Sequence, residues 1–487
     1  MREDRVRRNE GSDPEREVLG SNRPEESRLC DEVTARRALL ARLRSAGIDC
    51  LYPLVASAFV LRYYLGEGRS AFSRHELSER RNGFWGHPAA DVQSVLSEQR
   101  PVWVHASAAG ETAAAHPLID QLRSRLPGIP LALSSGMLEG QAMARRMRVD
   151  ADALFFFPLD LPGIVGGALR RVRPSAFVMV ESELWPNFLR SAKRRRIPVA
   201  LVNGDMFDWN RQDKFPKWVR PFYERMLEAI DAIGAKSEAD ARNFEALGVP
   251  PDRLRVTGEC KVDALSQPLS VEERRNLARE FGLEGRFPIL VAGSTHAGEE
   301  EPILEAFLQV RSRHPEAALV LGPAELGRVR SIAHLAEQRG LRTALLSRQA
   351  SAGGRIHPEV IILDVIGYLS RVYALGSVAV LGGSFVPGFG LHNIWEPFAQ
   401  GKPVLYGPHM VETAMLADFE SRGLTFRVSD AQHLADRTLA LCGDSNWLES
   451  LRFEVDGEVG RHRGASARNA ELVCELLARH RGERGVP

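Results

Sequence analysis

Three short segments of the chain gather residues able to do acid–base or phosphate chemistry. The first is His105-Ala-Ser-Ala-Ala-Gly-Glu111, directly after a strand-like run and opening a helix-like one. Gly110 and its small neighbours let another molecule approach the backbone closely. Glu111 then serves either as a general base or as a carboxylate that complements the helix dipole. The dipole would lower its pKa, which works against a base. The second is Val180-Glu-Ser-Glu-Leu-Trp-Pro-Asn187. Glu181 and Glu183 stand at i and i+2 after an apolar strand; one of the two is expected to face the cleft, and Glu183 is the expected one. Pro186 suits the first turn of a following helix. The third is Gly382-Gly-Ser-Phe-Val-Pro-Gly-Phe-Gly-Leu-His-Asn-Ile-Trp-Glu396, Gly-rich and feeding a helix near Asn393. Backbone N–H groups there favour a phosphate, and Glu396 is suited to accept hydrogen bonds from a ribose.

Elements that would position these segments alternate from residue 100 onward. Strand-like runs fall at 102–106, 130–134, 153–157, 176–181, 198–202 and 231–235, then at 288–293, 317–322, 359–363, 377–382 and 403–406. Helix-like stretches separate them, which implies parallel sheets covered on both faces. The expected architecture is α/β: two Rossmann-like, doubly wound domains facing across a cleft, the default ligand site. The boundaries are 88–263 for the first domain, 264–287 for a linker with one polar helix, and 288–455 for the second. Residues 456–487 are read as a helix packing back on the first domain.

Ahead of these, residues 1–46 read as a charged, disordered extension and 47–87 as an apolar helical segment. The run Leu51–Leu65 is broken by Pro53 and Arg62 and is too short to span a bilayer of about 20 residues' depth. It is either a core helix or an interfacial one, flanked by Arg42, Arg44, Arg62 and Arg69 and by tyrosines. The 487 residues carry 64 basic and 63 acidic side chains, a net charge of +1, so a nucleic-acid specialist is not expected. Only six of the basic residues are Lys. Five Cys lack paired spacing, which argues against a zinc site or a disulfide framework. No G-x-x-x-x-G-K-[ST] and no G-x-G-x-x-G after a first strand is present, and no metal-ligand spacing is recognisable.

In order, these segments resemble the Kdo transferases, GT-B glycosyltransferases that move 3-deoxy-manno-octulosonic acid from CMP-Kdo onto lipid A precursors. Further matching pieces are Lys236-Ser-Glu-Ala-Asp240, Gly258 with Lys261 and Asp263, Ala292–Glu300, Asp364 with Gly367-Tyr-Leu369, and Gly401–Met410. The resemblance implies Glu111 as catalytic base, with Glu183 beside it, and His105, Ser107, Gly110 and Asn187 on the acceptor side. It implies donor contacts at Pro323, Ala324, Gly367, Tyr368, Leu369, Ser384, Asn393, Ile394, Trp395 and Glu396. It further implies inversion, no metal and no cofactor beyond the donor, and a place on the cytoplasmic face of the bacterial inner membrane through the N-terminal segment. The chain departs from the family at four places: Ala108 replaces a Ser, Asn203-Gly-Asp205 replaces Asn-Ala-Arg, Ala324 replaces an Arg, and Tyr368 replaces a Glu. Arg328 is a possible substitute for one missing Arg. A diverged GT-B enzyme with another activated sugar or acceptor, a non-catalytic binding protein and a nucleotide-sugar 2-epimerase are the alternatives.

Overall fold

The computed structural model describes residues 100–207, 219–351, 357–390, 392–410 and 413–483. The extension 1–46 and the apolar segment 47–87 lie outside the described residues. The first domain runs β1 (Val102–His105), α1 (Ala109–Arg125), β2 (Leu131–Ser135), α2 (Leu138–Met147), β3 (Ala153–Phe156), α3 (Pro162–Val172), β4 (Ala176–Val180), α4 (Pro186–Arg194), β5 (Val199–Gly204), α5 (Arg220–Leu227), β6 (Ala232–Ala235), α6 (Glu238–Ala246) and β7 (Leu254–Val256). Its strands are ordered β3-β2-β1-β4-β5-β6-β7, and every neighbouring pair is parallel.

The second domain opens with α7 (Val271–Glu280), β8 (Ile289–Thr295), α8 (Glu300–Arg313), β9 (Ala318–Pro323), α9 (Val329–Glu337), β10 (Thr343–Leu345), α10 (Leu346–Ser351) and β11 (Val360–Ile362). It continues with α11 (Leu369–Val372), β12 (Val378–Leu381), α12 (Trp395–Phe398), β13 (Val404–Tyr406), α13 (Ala414–Ser421), β14 (Thr425–Arg427), α14 (Ala431–Gly443) and α15 (Ser445–His462), and the described chain ends on α16 (Ala465–Glu483). Its sheet is ordered β10-β11-β9-β8-β12-β13-β14, again parallel. The order reverses between β1 and β4 in one sheet and between β8 and β12 in the other. Loops leaving those strands diverge, and each leaves a crevice at the sheet's carboxyl edge.

The central strands are apolar on both faces because both are covered. Trp103, Phe177 and Met179 pack against Val165, Leu169, Phe188 and Leu189 of α3 and α4. Val102, Val104, Val178 and Val180 pack against Leu118, Ile119 and Leu122 of α1 and against Leu472, Val473 and Leu476 of α16. Each such side chain contributes about 1.5–3 kcal/mol when fully buried. Thus α16 completes the first domain, whereas Val455 and Val459 of α15 belong to the core of the second. The chain returns to the first domain at Arg463–Gly464, where Gly464 adopts φ 77°. The 264–287 segment holds more than a polar linker helix. Ser270 and Glu273 form a capping box on α7, and Leu277, Phe281 and Leu283 are buried in the second domain's core.

Candidate functional site: a cleft between two switch points

At the first switch point, β1 delivers His105 and β4 delivers Glu181 and Glu183. His105 Nε2 lies 3.3 Å from Glu183 Oε2, and Trp185 Nε1 donates to Glu183 Oε2 at 3.3 Å. Burial pushes the Glu183 carboxyl up, but hydrogen bonds from His105, Ser107 and Trp185 outweigh it and hold the group below its ordinary range. Glu183 therefore leans on His105, and it is Glu181 that lines the interdomain cavity. The strand alternation does not extend to Glu181, because its backbone turns to φ 62° immediately after β4. Such a conformation in a non-glycine residue is strained and is held by its surroundings.

Those surroundings are charged. Glu181 Oε1 lies 2.8 Å from Lys261 Nζ and 3.2 Å from Lys236 Nζ. Burial alone would raise its pKa, yet the two ammonium groups bring it down to about 2. Lys236 also approaches Asp205 at 3.4 Å and buried Glu259 at 3.5 Å. Asn203, itself at φ 52°, donates to Glu259 at 2.8 Å. Asp205, which stands where the family has Arg, is thus a partner of Lys236. Asn203 lies at the end of β5, and the others follow the carboxyl ends of β4, β5, β6 and β7. The sequence reading missed Lys236 and Lys261 as site residues, although a signal existed: only six positions in this Arg-rich chain are Lys.

Glu111 sits in the first turn of α1, and its Oε2 accepts the Ala108 N–H at 3.0 Å. Its pKa is raised by burial and by the charges of Glu181 and Glu183, against the lowering effect of its own and Ala108's backbone N–H groups. The expected lowering by the helix dipole is therefore reversed. Gly110, one residue earlier, lines the cavity.

The second domain supplies the opposite wall. His392, Asn393, Ile394, Trp395 and Glu396 line a cavity of ≈ 780 Å³ that Gly110, Glu181 and Lys261 line from the first domain. Asn393 Nδ2 lies 3.5 Å from Glu396 Oε1, and Asn393 Oδ1 accepts the Trp395 N–H at 3.1 Å. Burial raises the Glu396 pKa. The Gly-rich loop is not wholly open to a ligand. Glu299, fully buried, accepts the N–H groups of Gly383 and Phe385 at 2.8 Å each.

The remaining expected residues divide by position. Ser384 is buried, donates to the Leu381 carbonyl at 2.7 Å and accepts the Gly407 N–H at 2.8 Å, so its hydroxyl is engaged within the loop. Asn187 is also buried and faces Asp160, accepting no part in the cavity wall; its Nδ2 donates to the Asp160 carbonyl at 2.6 Å. Pro323 and Ala324 close β9, with Ala324 N–H on the Thr295 carbonyl at 3.0 Å. Gly367 turns at φ 96°, Tyr368 packs near Phe281, and Leu369 lies under Gly293 and Gly322. These three follow β11 at the same sheet edge, outside the cavity wall. Arg328 forks onto Glu300 at 2.7 and 2.8 Å and does not replace the missing cleft Arg. Among the described residues, no group of three or more His, Cys, Asp or Glu is arranged to hold a metal ion, and no helix is long and apolar enough to cross a membrane.

With this geometry in hand, comparison with known proteins is specific. The model of the 3-deoxy-D-manno-octulosonic-acid transferase (kdotransferase) family matches residues 76–264. A 3-deoxy-D-manno-octulosonic acid transferase of Haemophilus influenzae is 28% identical over 409 residues, covering 84% of this chain and 92% of the relative. Its namesake in Bordetella pertussis is 29% identical over 386 residues, covering 77% and 87%. In structure, the UDP-GlcNAc 2-epimerase of Neisseria meningitidis is similar with a TM-score of 0.52 at 16% identity, covering 78% of this chain and 100% of that one; this likeness is one of fold. The family match over the first domain and the collinear relatives across both domains agree: the chain is a glycosyltransferase similar to the 3-deoxy-D-manno-octulosonic-acid transferases.

Proposed function

We propose that the chain transfers Kdo from CMP-Kdo to a hydroxyl of a lipid A precursor, with inversion, at the cytoplasmic face of the inner membrane. The observation that carries this reading is a single cavity walled by Gly110, Glu181 and Lys261 from the first domain and by Asn393 to Glu396 from the second, with Glu111, its pKa raised, next to Gly110 in the first turn of α1. Glu111 is the base. It exchanges the Ala108 N–H for the acceptor hydroxyl and takes its proton as that oxygen bonds to the anomeric carbon. The bond from that carbon to the CMP phosphate oxygen breaks, and CMP leaves with the electron pair. Asn393 and Glu396 hold the nucleotide. A single phosphate leaves no diphosphate to be chelated, so the reaction runs on this chain's own residues. The segment at 51–65 brings the enzyme to its lipid substrate.

The test is direct. Full-length protein with CMP-Kdo and a tetraacylated lipid A precursor should give a Kdo-lipid, and Glu111→Gln should lose about 10²–10⁴-fold in turnover while still binding CMP-Kdo. No product from folded protein, or undiminished turnover by the variant, overturns the reading. Asp205 and Ala324, standing where the family has Arg, favour a second reading in which the donor or acceptor differs. Stabilisation of the protein by another nucleotide sugar but not by CMP-Kdo would select it.

A further inference from the structure

Lys261 approaches the first turn of α1 at Gly110, the residue before Glu111. Its Nζ lies 2.8 Å from Glu181 Oε1 and 3.7 Å from the point where a Cβ on Gly110 would stand. The 3-10 turn Cys260–Ala264 that carries it packs directly on α1. Glu181 reaches this place through its strained backbone, and its charge acts on Glu111. The same site is thus approached by one strained carboxylate and one ammonium that neutralises it.

We infer that Lys261 is a positioning residue for transfer: through its ion pair with Glu181 it fixes the charge against which Glu111 takes up a proton. This rests on Glu111 as the base. Lys261 itself touches no reacting atom. It is faced by Glu181, Glu259 and Lys236. Lys236 also faces Asp205, Glu111 faces Glu181 and Glu183, and Glu183 is held by His105. His392 and Glu396 look in from the second domain.

The arrangement has a directional consequence that simple structural support would lack. Removing the Lys261 charge leaves Glu181 ionised, since Lys236 remains 3.2 Å away. Glu111 then faces more net negative charge, becomes harder to ionise, and works only at higher pH. Removing the Glu181 charge instead takes a negative neighbour away from Glu111 while Lys261 stays charged, faced by Glu259, so Glu111 ionises more easily and works at lower pH. Two substitutions on one ion pair should move the acid limb of the kcat/KM profile in opposite directions.

The experiment measures that profile for full-length wild type, Lys261→Met, Lys261→Arg, Glu181→Gln and Glu111→Gln, with folding checked by circular dichroism. The expected results are a limb raised by about one pH unit in Lys261→Met, restored in Lys261→Arg, and lowered in Glu181→Gln. Limbs that stay in place, or that both move the same way, overturn the inference while an inactive Glu111→Gln leaves the base assignment intact. An active Glu111→Gln removes the base assignment and this inference with it. If Lys261→Met does not fold, Glu181→Gln decides alone: a lowered limb supports the inference, and an unmoved or raised limb overturns it.

Discussion

Glu299 accepts the backbone N–H of Gly383 at 2.8 Å across the switch point of the second sheet. The same carboxylate also takes the N–H groups of Phe385 and His296 at 2.8 Å each. A fully buried carboxylate with three charge-assisted hydrogen bonds fixes where the Gly-rich loop leaves β12. Glu299→Gln turns one acceptor oxygen into an NH₂ that meets an N–H, so it should destabilise the protein by about 2–3 kcal/mol. Urea unfolding would measure that loss, and limited proteolysis should show earlier cleavage in 382–396. Wild-type behaviour in both would refute the anchoring role.

Arg328 and Glu300 form a bidentate pair with the carboxylate almost fully buried. Arg328→Ala strands that carboxylate beside its neighbour Glu299 and should cost about 3 kcal/mol. Arg328→Lys keeps the charge but not the fork, so it should recover only part of the loss. Equal stability of the Lys variant and wild type would show that charge alone suffices.

His462 links the two domains. Its Nδ1 accepts the Glu259 N–H at 2.9 Å, and its ring lies 4.5 Å from that of Trp395. Burial depresses its pKa to about 4, with Arg461 and Arg468 acting in the same direction against Glu259 and Asp240. A depressed folded pKa contributes stability that is fully present above the unfolded value of 6.5. Between there and about 4 the unfolded chain takes up a proton that the folded one refuses, and stability falls by about 3 kcal/mol. Below that the loss stops. His462→Asn keeps an acceptor for Glu259 but does not titrate there. The stability difference between the two proteins should therefore shrink as pH drops from 7 to 4, and parallel curves would refute the assignment.

The two sheets were legible because their central strands are buried on both faces and read as unbroken apolar runs, such as Val102–Val104 and Leu319–Leu321. The strands that escaped notice are β7, β10 and β14, each three residues long and at a sheet edge; β7 and β10 are in addition only partly buried. Helix α7 looked polar because only Leu277 and Ala278 of its residues pack on the core, while most of its exposed positions carry Glu and Arg. In the cleft, sequence offered the strand-end carboxylates but not their partners. Lys261 lies 80 residues from Glu181, and no local pattern joins them. The choice between Glu181 and Glu183 depended on one backbone angle at Glu181, which residue type does not disclose.

Asp263 joins the two places where the chain passes between domains. Its carboxylate oxygens accept the Gly464 N–H at 2.6 Å and the Ser466 N–H at 2.7 Å, capping α16 from a turn 201 and 203 residues earlier. Those donors are the residue just before α16 and one in its first turn, where intrahelical partners are lacking. Asp263→Ala removes the cap and should cost about 1–2 kcal/mol, whereas Asp263→Asn keeps one acceptor and should cost less. Because α16 supplies Leu472, Val473 and Leu476 to the first domain's core, the loss should appear as faster amide exchange along 464–470, ahead of any change in the helices of the second domain. Hydrogen exchange resolved by mass spectrometry can separate these regions. Exchange that quickens equally throughout both domains, or nowhere, would show that Asp263 does not hold this junction.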